Sequence, residues 1–223
     1  MTQRAETIPC RFQDLGLIEY SEALQRQKDA VHAVIEGGAQ TVFFCEHPTV
    51  LTLGRLGTEK NILVSCETLE NTGVKVLRID RGGEVTLHTP GQLVIYPVLN
   101  LNHFGRDLKS YLLGLEQVAI DLLRDFGIVA NGISGQRGVW VGTKKIASIG
   151  IGVRKWVSYH GMALNINTDL RHFKMIRPCG LDVEMTSLEE LTGTRADLGE
   201  IKKKTIDILC GRFRLANNGD DHG

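Results

Sequence analysis

Net charge is absent from this sequence: 26 Lys and Arg are matched by 26 Asp and Glu. With no overall field, neither nucleic acid nor a membrane surface is expected as the main partner. Cysteine is scarce, five residues in 223. The count is odd and without paired spacing, which argues against a disulfide framework and for free thiols in a reducing cytoplasm. The opening MTQRAETIPC is polar, with no apolar leader. No apolar run approaches the ~20 residues that cross a bilayer. Internal repeats, low-complexity tracts and linkers are missing too. The 42% apolar content suffices for one core, so a single domain over 1–223 is expected, with a frayed tail from about 216.

What is present is a mixture of short extended runs and amphipathic helices. Ile18, Ala23, Leu24, Ala30, Val31, Val34 and Ile35 keep helical spacing up to the stop at Gly37-Gly38. TVFFCEH, TVLTLG, VKVLRID, VTLH and QLVIYPVLNL follow as extended runs. Asp107 to Phe126 is a second helix, ended by Gly127. Val139 to Val141, Lys145 to Val153 and Met162 to Ile166 are strands, and a last helix starts at a capping-box pattern, Asp197 to Glu200. Hairpins in the middle and few strand-helix-strand crossovers point to an α+β domain around a largely antiparallel mixed β-sheet flanked by helices.

Four segments carry residues suited to chemistry. In DRGGEVTLHTPGQ, Arg81-Gly82-Gly83 forms a permissive turn between two strands, after which Glu84, Thr86 and His88 share one strand face and Val85 and Leu87 the other. An ordinary hairpin with one solvated face would look the same. In GVWVGTKKIASIGIGVRK, Gly142-Thr143 suits a two-residue turn. Lys145, Ala147, Ile149, Ile151 and Val153 then alternate onto one face, so Lys145 heads an apolar face. Ser148, Gly150 and Gly152 leave the opposite face bare. Lys145 is either a strand-end lysine with its stem packed or a desolvated amine. Tyr159-His160-Gly161-Met162-Ala163 enters a further strand. Finally, MIRPCGL holds Cys179 between Pro178 and Gly180, with Lys174 and Arg177 nearby to favour thiolate. Cys10, Cys45, Cys66 and Cys210 all read as packing residues. For Cys179 spacing alone leaves packing and chemistry equally open.

Taken together, CEHPTVLTLG, RGGEVTLHTPGQ, GVWVGTKKIASIG, YHGMALNIN and RPCG resemble the lipoyl(octanoyl) transferases in order and spacing, over about residues 43–181. The resemblance implies the α+β fold of biotin and lipoate ligases. It implies transfer of octanoyl from the phosphopantetheine thioester of acyl carrier protein to a lysine of lipoyl domains, in 2-oxoacid dehydrogenase complexes and the glycine cleavage H protein. Cys179 matches the nucleophile of the family and Lys145 its partner. Substrate contacts fall on Arg81, Gly82, Gly83, Glu84, Val85, Thr86, Leu87 and His88, on Ser148, Ile149 and Gly150, and on Gly161, Met162 and Ala163, with His160 behind them. No cofactor or metal is implied, and a monomer is expected. An amidotransferase between lipoyl domains, an ATP-dependent ligase of the same fold and an inactive binding module are the alternatives. Two positions depart from the family pattern: Thr89 replaces a glycine before Pro90, and Leu87 replaces an aromatic. Basic residues for an acidic donor are sought in Arg154, Lys155, Arg171, Lys174 and Arg177.

Overall fold

The computed structural model describes residues 7–177 and 183–218. Ile8, Cys10 and Phe12 alternate inward along a first strand, β1 (Ile8–Leu17). This period-2 signal lies in the sequence but is interrupted there by Pro9, and β1 is not among the strands expected above. Helix α1 (Tyr20–Ile35) follows and ends before Gly37, whose φ is +86°. Next come β2 (Gln40–Glu46), β3 (Val50–Leu53), α2 (Cys66–Thr72), β4 (Lys75–Arg78), β5 (Val85–His88) and β6 (Gln92–Val98). The second half holds α3 (Leu108–Arg124), β7 (Asn131–Ile133), β8 (Gln136–Val141), β9 (Lys144–Arg154), β10 (Val157–Asn165), α4 (Leu188–Thr192), α5 (Leu198–Phe213) and β11 (Leu215–Asn217).

Eight strands form one sheet in the order β11-β1-β2-β6-β10-β9-β8-β7, and five of its seven pairings are antiparallel. Because β11 pairs with β1, Ala216 and Asn217 belong to the sheet, which corrects the frayed tail expected from about 216 at these two positions. Both faces are covered, which explains the unbroken apolar runs in β2 and β6. On one face Phe44, Leu93 and Ile95 pack with Leu115, Val118 and Leu122 of α3 and Ile201, Leu209 and Phe213 of α5. On the other, Phe43, Val94 and Tyr96 pack with Tyr20, Ala23, Val31 and Val34 of α1. Each such fully buried side chain contributes about 1.5–3 kcal/mol. Asp107 caps α3, its Oδ1 accepting from the N–H groups of Lys109 and Ser110, and Asp197 caps α5 by accepting from Gly199.

The second sheet is small, ordered β4-β3-β5, with β3 parallel to β4 and antiparallel to β5. This corrects the turn expected at Arg81-Gly82-Gly83. The strands on either side of it are not partners, because β3 lies between them. Nor does β5 keep a solvated face, since Val85, Thr86, Leu87 and His88 are all buried. Leu51, Leu53, Val85 and Leu87 fill its own core with Phe173, Ile176 and Met185.

Candidate active site

Between the small sheet and the α1 face of the large sheet lies a cavity of about 260 Å³. Its walls include every substrate-contact position expected from sequence except Leu87: Arg81 to Thr86, His88, Ser148, Ile149, Gly150, Gly161, Met162 and Ala163; His160, expected behind them, stands in the wall as well. Leu87 alternates away from Thr86 and His88 into the small-sheet core. Thr89 does not wall the cavity either. It is buried, its hydroxyl lies 3.1 Å from that of Thr49, and its φ is not positive, so the departure at this position brings no backbone strain. Sequence reasoning did not assign Tyr20, Val94, Tyr96, Leu112, Arg137 or Ile151 to the walls. They arrive from separate elements, and no local pattern links them.

The loop Arg81–Gly83 lies along β9. The Gly82 N–H donates to the Ile151 carbonyl at 2.8 Å, and a Cβ on Gly150 would stand 2.7 Å from Gly82 O. The face of Ser148, Gly150 and Gly152 is therefore less bare than expected, since Gly152 is likewise covered by the Tyr159 ring. Buried Arg81 ties the loop to the small sheet. Its Nη2 donates to the carbonyls of Thr52 and Glu84, both at 2.8 Å, and its Nη1 to Gly82 O at 3.0 Å.

Lys145 is corrected more sharply. The β8–β9 register shifts between Val139, opposite Ala147, and Trp140, opposite Lys145. Ile146 is the extra residue of a β-bulge, and it shares a core cluster with Ala147. Two successive side chains thus point the same way, and strict alternation fails by one residue. Lys145 leaves the face of Ala147 and joins that of Gly138 and Trp140, with Nζ 5.3 Å from the Trp140 ring centre. It is only 2% exposed, and Nζ donates to the Arg137 carbonyl at 2.7 Å, beside the cavity that Arg137 helps to wall. Gly138, at φ +123°, makes room: a Cβ there would lie 2.6 Å from Lys145 Cε.

Cys179 lies outside the described residues, as does the side chain of Cys66. The chain on either side is tied to its neighbours. Arg177 N–H donates to Asn61 O at 2.8 Å, and Met185 bridges to Lys145, with Lys145 N–H donating to Glu184 O and Thr186 N–H to Lys145 O. Arg177 and Met185 wall one surface groove together with Arg171, Phe173 and Lys174. Arg154 and Lys155 stand elsewhere, at the β9–β10 turn. Cys10 and Cys45 are sealed in the core, where burial raises both thiols, Cys10 to about 12. Cys210 is only partly buried.

His88 and His160 wall the cavity, and His47 packs edge-on against His88 behind it. Burial lowers the pKa of His47 and His160, and holds His88 well below its ordinary value with help from His47. All three are neutral near pH 7, so each carries one ring N–H. His160 sits at φ +55°, held by Gln27 at its backbone, Tyr20 at Nδ1 and Asp80 at Nε2. Burial acts to raise Asp80, but hydrogen bonds from Tyr159 and His160 outweigh it and the carboxyl sits below its usual range.

The sequence matches the lipoyl protein ligase A/B catalytic domain over residues 19–209. It is 44% identical over 196 residues to the octanoyltransferase of Solibacter usitatus, covering 87% of this chain and 89% of that one. To the octanoyltransferase of Caldicellulosiruptor bescii it is 47% identical over 216 residues, covering 90% and 94%. Among solved structures, the bi-partite lipoate protein ligase of Thermoplasma acidophilum superposes with a TM-score of 0.74 at 16% identity, covering 96% of this chain and 87% of that one. The biotin protein ligase of Aquifex aeolicus does so with 0.53 at 14%, covering 93% and 70%. These two likenesses concern the fold.

Proposed function

The chain belongs to the lipoyl protein ligase A/B catalytic family and is an acyltransferase of the octanoyltransferase kind; from that premise we propose that it works by ping-pong through an octanoyl thioester on Cys179. In this reading the donor is octanoyl-acyl carrier protein and the acceptor a lysine of a lipoyl domain. The observation that carries it is Lys145, a cation-forming side chain buried behind the cavity wall and held by the backbone carbonyl of Arg137, which lines that wall. A buried amine is costly unless it is used or paired. Its strand neighbour Met185 follows Cys179 by six positions (185 − 179).

The chemistry asks for a thiolate, since the thiol is a weak nucleophile and only a few per cent is ionised near neutrality. In the first half Cys179 Sγ bonds to the acyl carbon, the donor C–S bond breaks, and the donor leaves as a thiol. In the second half the acceptor amine bonds to that carbon, the Cys179 C–S bond breaks, and an amide forms. Lys145 Nζ is the group suited to exchange the proton that each half moves. Thioester exchange is nearly balanced in energy and amide formation runs downhill, so the transfer needs neither ATP nor another cofactor. A cavity of about 260 Å³ whose surface is largely apolar suits a short acyl chain, being just below the usual range for drug-sized ligands. The groove of Arg171, Lys174 and Arg177 is the proposed docking place of the acidic carrier protein. No helix among the described residues is long and apolar enough to cross a membrane.

Intact-mass spectrometry after incubation with octanoyl-acyl carrier protein tests the reading. One octanoyl group is expected on the parent protein and none on Cys179→Ala. Equal labelling of the Cys179→Ala protein overturns the thioester, and labelling by free octanoate only with ATP would make this chain a ligase instead.

A further inference from the structure

The two ends of the cavity differ in kind. Beneath it the large sheet runs β6, β10, β9, β8, three strand spacings or roughly 14 Å across. Arg137, whose carbonyl holds Lys145, stands at the β8 side. His88 stands at the β6 side, bonded to Gln92 and packed among the rings of Tyr20 and His47. An extended eight-carbon chain spans on the order of 9 Å by ordinary backbone-like geometry. An acyl group with its carbonyl near Lys145 therefore sends its tail toward His88.

The state of His88 follows from a chain of obligatory hydrogen bonds. The Thr186 carbonyl can only accept, so Asn165 Nδ2 donates to it at 2.9 Å and Asn165 Oδ1 is an acceptor. Gln92 Nε2 donates to that Oδ1 at 2.9 Å and to Leu87 O at 3.2 Å, leaving Gln92 Oε1 to accept. His88 Nδ1–H then donates to Oε1 at 2.8 Å. In the neutral imidazole this leaves Nε2 with a bare lone pair. His88 is 5% exposed. Its Nε2 has no partner among the described residues and is not one of their sealed, unpaired atoms, which are Trp140 Nε1 and Thr168 Oγ1. It opens on the cavity that His88 walls. The nearby phenols do not serve it. Tyr96 O–H donates to His47 Nε2 at 2.8 Å, because His47 Nδ1–H is given to the Ile18 carbonyl. Tyr20 O–H donates to His160 Nδ1, because His160 Nε2–H is given to Asp80.

We propose that His88 Nε2 is a receptor for a hydrogen-bond donor on the acyl tail, so that the cavity takes an eight-carbon chain bearing a hydroxyl near its ω end. The direction of the chain rests on the transfer reading above. A plain octanoyl tail cannot satisfy the lone pair, whereas an ω-hydroxyl bonds to it. A hydroxyl close to the carbonyl stays at the Lys145 end and gains nothing from His88. Stripping a buried acceptor of its partner is disfavoured about ten- to a hundredfold, which sets the size of the discrimination.

The experiment compares kcat/KM for 8-hydroxyoctanoyl, 3-hydroxyoctanoyl and octanoyl thioesters in the parent protein and in His88→Leu. The ratio of 8-hydroxyoctanoyl to octanoyl is expected to fall at least tenfold in the variant, with no such change for the 3-hydroxy isomer. An unchanged ratio, or a fall for the 3-hydroxy isomer alone, overturns the proposal. Histidine ¹⁵N spectra of the parent decide the matter if the variant fails to fold or if plain octanoyl is not transferred. There the His88 Nε2 resonance must be that of an unprotonated nitrogen. It must respond to a non-transferable 8-hydroxyoctanoyl amide but not to its octanoyl counterpart. A protonated Nε2, or equal responses to both amides, refutes the receptor independently of the transfer reaction.

Discussion

Gly138→Ala separates the placement of Lys145 from the stability of the fold. Gly138 has φ +123°, and an added Cβ would stand 2.3 Å from Ala147 O, 2.6 Å from Lys145 Cε and 3.2 Å from Lys145 Nζ. Conformational strain alone costs about 1–3 kcal/mol. At ~2–4 °C per kcal/mol for a chain of this size, Tm should drop by roughly 2–12 °C. The contact with Ala147 involves backbone on both sides, so the lysine is the softer neighbour and must move. If Lys145 exchanges protons as proposed, a shift of about 1 Å there is worth on the order of a hundredfold in rate. Gly142→Ala is the matched control. Gly142 also has a positive φ, +59°, but nothing lies within 4 Å of its Cβ position. It should lose about 1–2 kcal/mol of stability and keep its rate. Single-turnover acylation by octanoyl-acyl carrier protein, followed by intact mass at a temperature where circular dichroism shows both variants folded, reads the difference. If Gly138→Ala acylates within twofold of Gly142→Ala, the claim that Gly138 positions Lys145 is wrong.

Stability should also depend on pH through the buried histidines His47, His88 and His160. Their folded pKa values are depressed by burial, so below the unfolded value of about 6.5 the unfolded chain binds more protons than the folded one. The stabilisation is present above pH ~6.5 and is lost as pH falls, at up to about 1.4 kcal/mol per pH unit for each histidine. Asp80, also depressed, adds a loss of the same sign at lower pH, through the carboxylate range. Urea unfolding at pH 8, 7, 6 and 5 checks this, and a flat profile would contradict it. Gly91→Ala should be among the more damaging glycine substitutions, by about 3 kcal/mol or more. Gly91 has φ +83° and its Cβ position is 2.2 Å from Asn167 O, whereas Gly73, at φ +68°, has open space there. Thermal melts of Gly91→Ala and Gly73→Ala side by side should show the larger loss in the former, and equal losses would refute the argument.

Much of the fold was legible because its signals are local. The cores of α1, α3 and α5 follow from apolar spacing, and the ends of α3 from Asp107 and Gly127. The strands β2 and β6 were plain as apolar runs. The small sheet was not, because the order β4-β3-β5 is a matter of which strands meet across 25 residues. The site followed the same division. RGGEVT, SIG and HGMA each pointed to a wall of the cavity, while Tyr20 and Tyr96 look in sequence like ordinary packing residues.

By itself the sequence determined the residue types: a cysteine between a proline and a glycine, a lysine at a strand start, glycines where backbone must approach backbone, and histidines beside strands. These are consequences of composition and of spacing along one segment. Tertiary structure alone decided which way those groups act. A bulge at Ile146, created by the unequal fit of β8 against β9, turns Lys145 from one face of the sheet to the other. A hydrogen-bond chain from Thr186 through Asn165 and Gln92 leaves the lone pair of His88 on Nε2. Both outcomes depend on pairings between strands, and the second on partners up to 98 positions away (186 − 88), beyond the reach of any local pattern.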